Sequence, residues 1–152
     1  MTATSCEQLA RTADAIAAEH PGWPAHEFLV ELAHEVAGIR RGPLAGLGLL
    51  LGGRTRLRGG GFRPELRDHT ASQTRHFAGI ARAVTVVGAT RTAWLSEHVR
   101  RDAPDSADGR LTALAIAFAA RLLDGSLATK DAGEWIRANV CAAGSAEPGI
   151  NP

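Results

Sequence analysis

Hydrophobic residues recur along most of this chain with the period of an α-helix, and residues that start or stop helices separate the repeats. Ser5 followed by Gln8 predicts a capping box for a first helix, which Pro21 ends. Pro24 suits the first turn of a second helix, and Gly38 ends that helix. The apolar positions of the two helices are Leu9, Ala13, Ile16 and Ala17, then Phe28, Leu29, Leu32, Ala33 and Val36.

The helical pattern resumes after a glycine-rich apolar passage at residues 42–53, which predicts either a short helix or a buried turn. A third helix then starts at Pro64 or is capped by Asp68, and Gly88 interrupts it. The stretch Leu111–Leu123 is apolar almost all round, which is typical of a helix buried by its neighbours. Thr129 is the predicted cap of a last helix.

The alternating pattern of a half-buried strand does not run for a useful length anywhere in the sequence. We therefore predict an all-α protein, an irregular bundle of five to six helices around a buried central helix at about residues 110–124. A chain of 152 residues suits one domain, which we place at residues 1–141, with a disordered tail at 142–152. Three tryptophans lie beside apolar residues and are expected to anchor the core: Trp23, Trp94 and Trp135.

The composition adds little to the prediction of the fold, but it gives information on the source of the protein and on its partners. The chain has 45% hydrophobic and 22% charged residues, which is ordinary for a globular protein. Its sixteen arginines against a single lysine, Lys130, are typical of a GC-rich bacterial genome. The net charge of +1 gives no argument for nucleic acid or a membrane surface as the partner.

The charge is spread unevenly along the chain. Residues 40–67 hold seven arginines and one acidic residue, Glu65, a net charge of +6 that leaves −5 for the rest. Such a segment predicts an acidic protein surface or a small anionic ligand as the partner. We do not expect nucleic acid as the partner, because aromatic residues do not alternate with the arginines. The arginines that we expect to contact the partner are Arg54, Arg56, Arg58, Arg63 and Arg75.

A second candidate site lies in the polar stretch that leads into the third helix. If that helix starts at residue 64, a helical wheel places four polar residues in one stripe at the boundary of the core: Glu65, His69, Ser72 and His76. The same wheel directs three charged residues away from the core: Asp68, Arg75 and Arg82. Gln73 points into the core and therefore needs a hydrogen-bond partner there.

This stripe has a catalytic and a structural interpretation. A histidine half-buried beside a carboxylate titrates near neutrality, so His69 and His76 suit general acid–base catalysis on an anionic substrate, as in a hydrolase or lyase. Glu65 would orient His69, and Gln73 would offer an amide donor to the substrate. The structural alternative, which the sequence leaves open, is that these side chains satisfy backbone groups of neighbouring elements.

We expect neither a cofactor nor a metal site. His69 and His76 lie two helical turns apart, too far for one ion on a straight helix. Glu31 and His34 form one Glu-x-x-His unit, but the di-iron bundles that use it need a second copy, which is missing from the sequence.

Cys6 and Cys141 lie near opposite ends of the chain, without the spacing of a metal or redox motif. In a reducing cytosol we expect them to be small buried hydrophobic residues, and a disulfide between them would require export. The first twenty residues lack the basic start and apolar run of a signal peptide. The apolar runs are also shorter than the ~20 residues of a membrane span. We therefore predict a cytoplasmic protein.

Three functional hypotheses follow. The leading one is a helical interaction protein that recognises an acidic or anionic partner through the face from Arg54 to His76. The second is the enzyme just described. The third is a structural subunit of a larger assembly, which predicts an apolar patch exposed on the monomer. The oligomeric state is not set by the sequence pattern.

Overall fold

The computed structural model describes residues 3–42, 54–68, 70–101 and 103–143, which form six α-helices. The helices are α1 (Ser5–Glu19), α2 (Ala25–Ala37), α3 (Gln73–Val87), α4 (Ala89–His98), α5 (Ala107–Leu123) and α6 (Ala132–Asn139). Short 3₁₀ turns cover Pro64–Leu66 and Thr129–Asp131, and these described ranges contain no strand. The predicted all-α bundle is confirmed. Residues 43–53 and the tail beyond residue 143 lie outside the described residues.

Helices α3 and α5 form the centre of the bundle. Helix α5 packs against α3, α4, α2 and α6, so the predicted central helix is confirmed. The ring of Phe77 on α3 packs on Phe118 of α5 with 5.2 Å between centroids, and the ring of Trp135 also packs on Phe118, at 5.3 Å. Burial of these large apolar side chains is the main stabilising contribution to such a bundle. In the described ranges, none of the helices combines the length and hydropathy of a membrane-spanning segment.

Two glycines end helices where the sequence predicts. Gly38 follows α2 with a left-handed φ of +65°, and its N–H donates to the carbonyl of His34 at 3.0 Å. Gly88 has a φ of +86° and separates α3 from α4. Residues with a Cβ rarely adopt either conformation, so the glycines fix the points where the chain changes direction.

The cap of α1 differs by one residue from the prediction. Thr4 rather than Ser5 is the N-cap, because its Oγ1 accepts the N–H of Glu7 at 3.2 Å. Ser5 is buried instead, and its hydroxyl lies 3.1 Å from the carbonyl oxygens of both Gly59 and Gly60. This contact attaches α1 to the loop that precedes the first 3₁₀ turn.

The polar stretch before α3 is not a continuous helix, so both predicted starts of the third helix, at Pro64 or with Asp68 as its cap, are wrong. The 3₁₀ turn Pro64–Leu66 does not continue beyond Leu66, and α3 begins only at Gln73. Asp68 supplies the physical reason: its Oδ1 accepts both the N–H and the hydroxyl of Thr70, at 2.9 and 2.7 Å. Such local bonds compete with helical ones. Glu65 therefore lies outside α3, and the predicted stripe of polar residues does not form on one helix.

The two ends of the described chain meet beside the loop at residues 59–63. A disulfide joins Cys6 of α1 to Cys141 after α6, with the Cα atoms 5.6 Å apart. The cysteines thus form the bond that the sequence allowed only for an exported chain, rather than two buried thiols. The N–H of Cys6 donates to the Gly60 carbonyl at 3.2 Å, and the N–H of Ala142 donates to the Gly61 carbonyl at 2.7 Å. Both ends are therefore attached to the same loop.

A nearly buried ion pair joins α1 to α6 close to the disulfide. Glu7, with 3% of its side chain exposed, accepts hydrogen bonds from Arg137 at 2.9 and 3.0 Å. Arg137 also pairs with Asp14 at 2.9 Å. Burial raises the pKa of Glu7, but hydrogen bonds and charge from Arg137 and Arg11 outweigh it and hold the pKa below its usual value.

Candidate functional site

The described residues among those predicted to carry catalysis fall in two different places. Gln73 and His76 lie together in the first turn of α3, and both are buried. Glu65 is exposed on the 3₁₀ turn, where its backbone carbonyl accepts a hydrogen bond from Arg110 at 3.4 Å. His69 lies outside the described residues. Two of the four predicted residues are therefore neighbours.

His76 is 8% exposed and bonded through both ring nitrogens. Its Nε2 lies 2.7 Å from the hydroxyl of Thr112 on α5, and its Nδ1 lies 3.1 Å from Nη2 of Arg100. A guanidinium group only donates, so Nδ1 must accept and the proton of the neutral ring lies on Nε2. His76 then donates to Thr112 and is not placed to take a proton from that hydroxyl. This arrangement favours the structural interpretation of His76.

The side chain of Gln73 is 4% exposed and leaves one polar atom without a partner. Its Nε2 donates to Asp68 Oδ1 at 3.0 Å, whereas its Oε1 is buried and has no hydrogen-bond partner. Exchanging the two amide atoms would not help, because a carboxylate can only accept. The sequence predicted the burial of Gln73 correctly, and the unpaired oxygen is left to be explained.

Asp68 was predicted to face away from the core, but it connects the start of α3 with the start of α5. Besides Gln73 and Thr70, its carboxyl group is hydrogen-bonded to that of Asp108 in the first turn of α5. Burial raises the pKa of Asp68, but the hydrogen bonds from Thr70 outweigh it, so the pKa lies below its usual value. Two carboxyl groups thus meet beside Gln73 at this end of the bundle.

Arg82 was also predicted to face away from the core, and that prediction is wrong. Its side chain is 4% exposed, and burial lowers its pKa. Nη1 donates to the hydroxyl of Thr85 at 2.5 Å, whereas the buried Nε has no hydrogen-bond partner. The helical wheel missed this because it describes one helix alone and cannot show what covers its far side.

Several arginines of the basic segment bind backbone carbonyls instead of pointing to a partner. Arg56 donates to the carbonyl of His34 at the end of α2, at 3.2 Å, and Arg63 donates to the carbonyl of Ala138 near the end of α6. Cations near the C-terminal ends of helices are favoured by the carbonyl groups of the last turn and by the helix dipole. Arg54 and Arg58 are exposed, and their side chains make no hydrogen bond or ion pair within the described ranges.

We expect the double variant R54E/R58E to unfold at nearly the same temperature as the parent protein, because neither side chain supports a helix end. R63A should lower the free energy of unfolding by about 1 kcal/mol, since it removes a charge-assisted hydrogen bond to α6. Urea denaturation of the two variants in parallel measures both effects. Equal losses in the two variants would contradict this division of roles.

Helix α4 has its polarity reversed relative to an ordinary packed helix. Its buried residues are Thr92 and Ser96, four residues apart, and the hydroxyl of Ser96 donates to that of Thr112 on α5 at 3.3 Å. Its large apolar side chains are exposed instead: Trp94 by 55%, Leu95 by 40% and Val99, just beyond the helix, by 64%. The expectation that Trp94 anchors the core is wrong.

The spacing of small polar residues in the sequence indicates this reversal, although a search for periodic apolar residues does not detect it. Thr92 and Ser96 are spaced like core positions of a helix, and Thr92 satisfies its own hydroxyl on the carbonyl of Gly88 at 2.7 Å. The other two tryptophans behave as predicted, because Trp23 and Trp135 pack against the core while partly buried.

Two shallow surface grooves lie elsewhere on the molecule. The first, of about 490 Å³, is bordered by the stacked rings of His20 and Trp23, 3.6 Å apart, and by Glu31 paired with Arg41. The second, of about 500 Å³, lies between α1 and α2. Neither groove is lined by Gln73 or His76, so neither provides the solvent-reachable cleft that the catalytic interpretation requires.

Within the described ranges, no three histidine, cysteine, aspartate or glutamate side chains are grouped so as to hold a metal ion. Two features of this region remain to be explained: the exposed face of α4 and the polar groups around Gln73.

Comparison with known proteins does not assign a function to these features. No family model, curated protein or solved structure matches the chain.

Proposed function

We propose that this protein acts by binding another protein, with α4 and its flanking residues as the contact surface. The observation that carries this proposal is the reversed polarity of α4, which turns Thr92 and Ser96 inward and Trp94 and Val99 outward. A helix of a bundle ordinarily buries its apolar side, because that burial stabilises it. Apolar side chains that remain exposed together are a mark of interaction surfaces.

Trp94 is suited to be the anchor of such a contact. Its ring is stacked on that of His98, with centroids 4.8 Å apart and an angle of 13° between the planes. This stacking holds a large exposed side chain in one orientation, so less conformational entropy is lost on binding. Tryptophan is also enriched among the few residues that carry most of the energy of an interface. Leu95, 40% exposed, adds apolar area beside it.

The charges around α4 favour an acidic partner. Arg91 on α4 and Arg101 just after it are both exposed, and Glu97 is the single acidic residue in the sequence from 86 to 101. Complementary charge at the rim of an interface steers association and selects partners. The proposed class of partner is the same as in the sequence-based hypothesis, but the proposed contact surface is α4 instead of the Arg54–His76 face.

The backbone at Arg101 supports a functional role for this region. Arg101 has a φ of +61°, the left-handed conformation that a residue with a Cβ adopts at a cost of about 1 kcal/mol. Strained residues of this kind cluster at contact sites and switch regions, where the surrounding structure holds them. The strain lies directly after the exposed residues of α4.

The enzyme hypothesis has weaker support than the binding hypothesis. General acid–base catalysis needs a histidine nitrogen that can reach a substrate. Both nitrogens of His76 are bonded within the bundle, and Glu65 lies on another element. We therefore carry forward the binding function.

The proposal is tested with two synthetic amphipathic helices that share a leucine face and carry either glutamate or lysine on the flanks. We expect the glutamate peptide to bind at millimolar or lower concentration and its affinity to fall with added salt. The variant W94A/V99S should lose this binding. The matched control is L123S, which removes a 41% exposed leucine from the end of α5 and should leave binding unchanged.

Three outcomes would overturn the proposal. Equal binding of the lysine peptide would contradict the preference for an acidic partner. Absence of binding to both peptides would contradict the role of α4 as a contact surface. Sedimentation of the free protein provides the third: a dimer that W94A/V99S dissociates would make a second copy of the chain the occupant of α4.

We infer that the protein works in a compartment where the Cys6–Cys141 disulfide persists. Such bonds are rare in a cytosol kept reduced by glutathione and thioredoxin, so the disulfide speaks against the predicted cytoplasmic location. Alkylation of the protein directly in its native cells tests this. Two unmodified cysteines would support the inference, and two modified ones would restore the cytoplasmic prediction.

A further inference from the structure

Arg82 on α3 is a buried cation that has no acidic partner within the described ranges. Its side chain is 4% exposed, and of its guanidinium nitrogens only Nη1 is bonded to a described group, the hydroxyl of Thr85 at 2.5 Å. Burial lowers the pKa of Arg82, and no described carboxylate offsets that effect. A buried charge without a counter-charge destabilises a folded protein, so the presence of Arg82 in this position calls for an explanation.

The unpaired atoms of Arg82 form the edge of the guanidinium that binds carboxylates. Nε is buried without a hydrogen-bond partner, whereas Nη2, which has none among the described residues either, keeps some contact with solvent. The N–H of Nε and one N–H of Nη2 point in the same direction, so this edge can donate two parallel hydrogen bonds. Arg41 uses the same two nitrogens to bind both oxygens of Glu31, at 2.6 and 2.8 Å.

Thr85 holds the guanidinium of Arg82 in one orientation. Its hydroxyl accepts from Nη1 of Arg82 at 2.5 Å and donates to the backbone carbonyl of Arg82 at 2.6 Å. Because the side chain is already ordered, little conformational entropy is lost when a ligand binds it. A ligand reaches the edge from Nη2, with Nε beside it just below the surface, so the site admits only a small group.

We propose that Arg82 binds the carboxylate group of a small molecule through Nε and Nη2. A carboxylate is planar, and its two oxygens match the two parallel donors of the guanidinium. Its single negative charge also balances the single positive charge of Arg82. A phosphate dianion would leave a net negative charge in the same nearly buried place, which is unfavourable. The proposal concerns a different ligand from the protein partner of α4 and does not depend on that function.

The test is thermal unfolding of the full chain at neutral pH in sodium acetate, sodium chloride or sodium phosphate at matched ionic strength. We expect acetate to raise the Tm along a saturating curve, because a ligand that binds the folded state alone stabilises it by mass action. Chloride should not, since it lacks the two oxygens. Phosphate stabilises proteins in general by exclusion from their surface, so its effect should not saturate.

Three variants separate the fork of Arg82 from general effects of salt. R82M should abolish the saturating response and should unfold at a higher temperature than the parent without acetate, because it removes an uncompensated buried charge. R82K keeps the charge but not the two-point geometry, and should lose most of the response. The matched control is R54M, which removes an exposed arginine and should keep the full response.

An NMR measurement on the parent protein keeps the proposal testable if R82M or R82K does not fold. The Nε–H signal of Arg82 should shift as acetate is added and should saturate at the same concentration as the Tm. The corresponding signals of Arg41 and Arg137 should stay in place, because their Nε–H groups already donate to Glu31 and Glu7.

Several results would overturn the carboxylate site. Acetate gives no saturating rise in the Tm of the parent protein, R82M keeps the saturating response, or the Nε–H signal of Arg82 does not move. A saturating response to phosphate but not to acetate would contradict the proposed class of ligand. A full response in R82K would show that a point charge suffices, which contradicts the two-point contact.

Discussion

Reduction of the Cys6–Cys141 disulfide is expected to lower the free energy of unfolding by about 5 kcal/mol, because the chain-entropy relation predicts this for a very long loop. The bond spans a sequence separation of 135 residues and restricts nearly the whole unfolded chain. For a protein of this size the loss corresponds to about 10–20 °C in Tm. Urea denaturation of the oxidised protein and of protein kept in a phosphine reductant measures the difference.

The double variant C6S/C141S is the control for this experiment, since it removes the bond without a reductant. It should unfold like the reduced protein, and adding reductant to it should change nothing. Equal stability of the oxidised, reduced and serine forms would show that the hydrogen bonds of residues 60 and 61 hold the two ends together without the disulfide.

The second large effect is expected from Glu7→Ala, which should lower the free energy of unfolding by about 3 kcal/mol because it leaves a partly buried guanidinium without its main partner. Arg137 keeps Asp14 at 2.9 Å, so the loss should lie at the low end of the range for broken buried pairs. The conservative Glu7→Gln keeps the shape and isolates the charge. Arg11→Ala is the matched control, since Arg11 contacts Glu7 from an exposed position and should cost far less.

The pH dependence of stability provides an independent check on Glu7. Its pKa in the folded protein lies below its usual value of 4.5, so the carboxylate contributes stability above that value. This contribution is lost as the pH falls from 4.5 through the lower pKa of the folded state. Glu7→Gln should therefore flatten the acid side of the stability curve. A curve with the same acid slope as the parent protein would contradict the role given to this pair.

The fold was predictable to the extent that it depends on apolar periodicity and on helix-ending residues. The order of the helices, the break at Gly88 and the central position of α5 were all predicted from these signals. The start of α3 was not, because the bonds between Asp68 and Thr70 compete with the helix and depend on side-chain geometry. Periodicity alone cannot decide between such local alternatives.

The candidate site was less predictable because its residues come together only in the tertiary structure. The burial of Gln73 could be predicted from the helical wheel, but its partner Asp68 is in turn hydrogen-bonded to Asp108, which is far away in the sequence. The sequence shows only the net charge of the basic segment. It does not show that Arg56 and Arg63 each donate to a carbonyl at a helix end, because the fold brings these groups together. The exposure of Trp94 depends likewise on which side of α4 meets α5.

The fluorescence of Trp94 tests most directly whether the apolar side of α4 is open for a partner. In the variant W23F/W135F, Trp94 is the single tryptophan of the sequence. We predict that acrylamide quenches its emission efficiently in the free protein and much less once the acidic peptide is bound, because the ring is 55% exposed on the monomer. Emission that is already protected in the free, monomeric protein would show that the surface is covered and would contradict the proposed function.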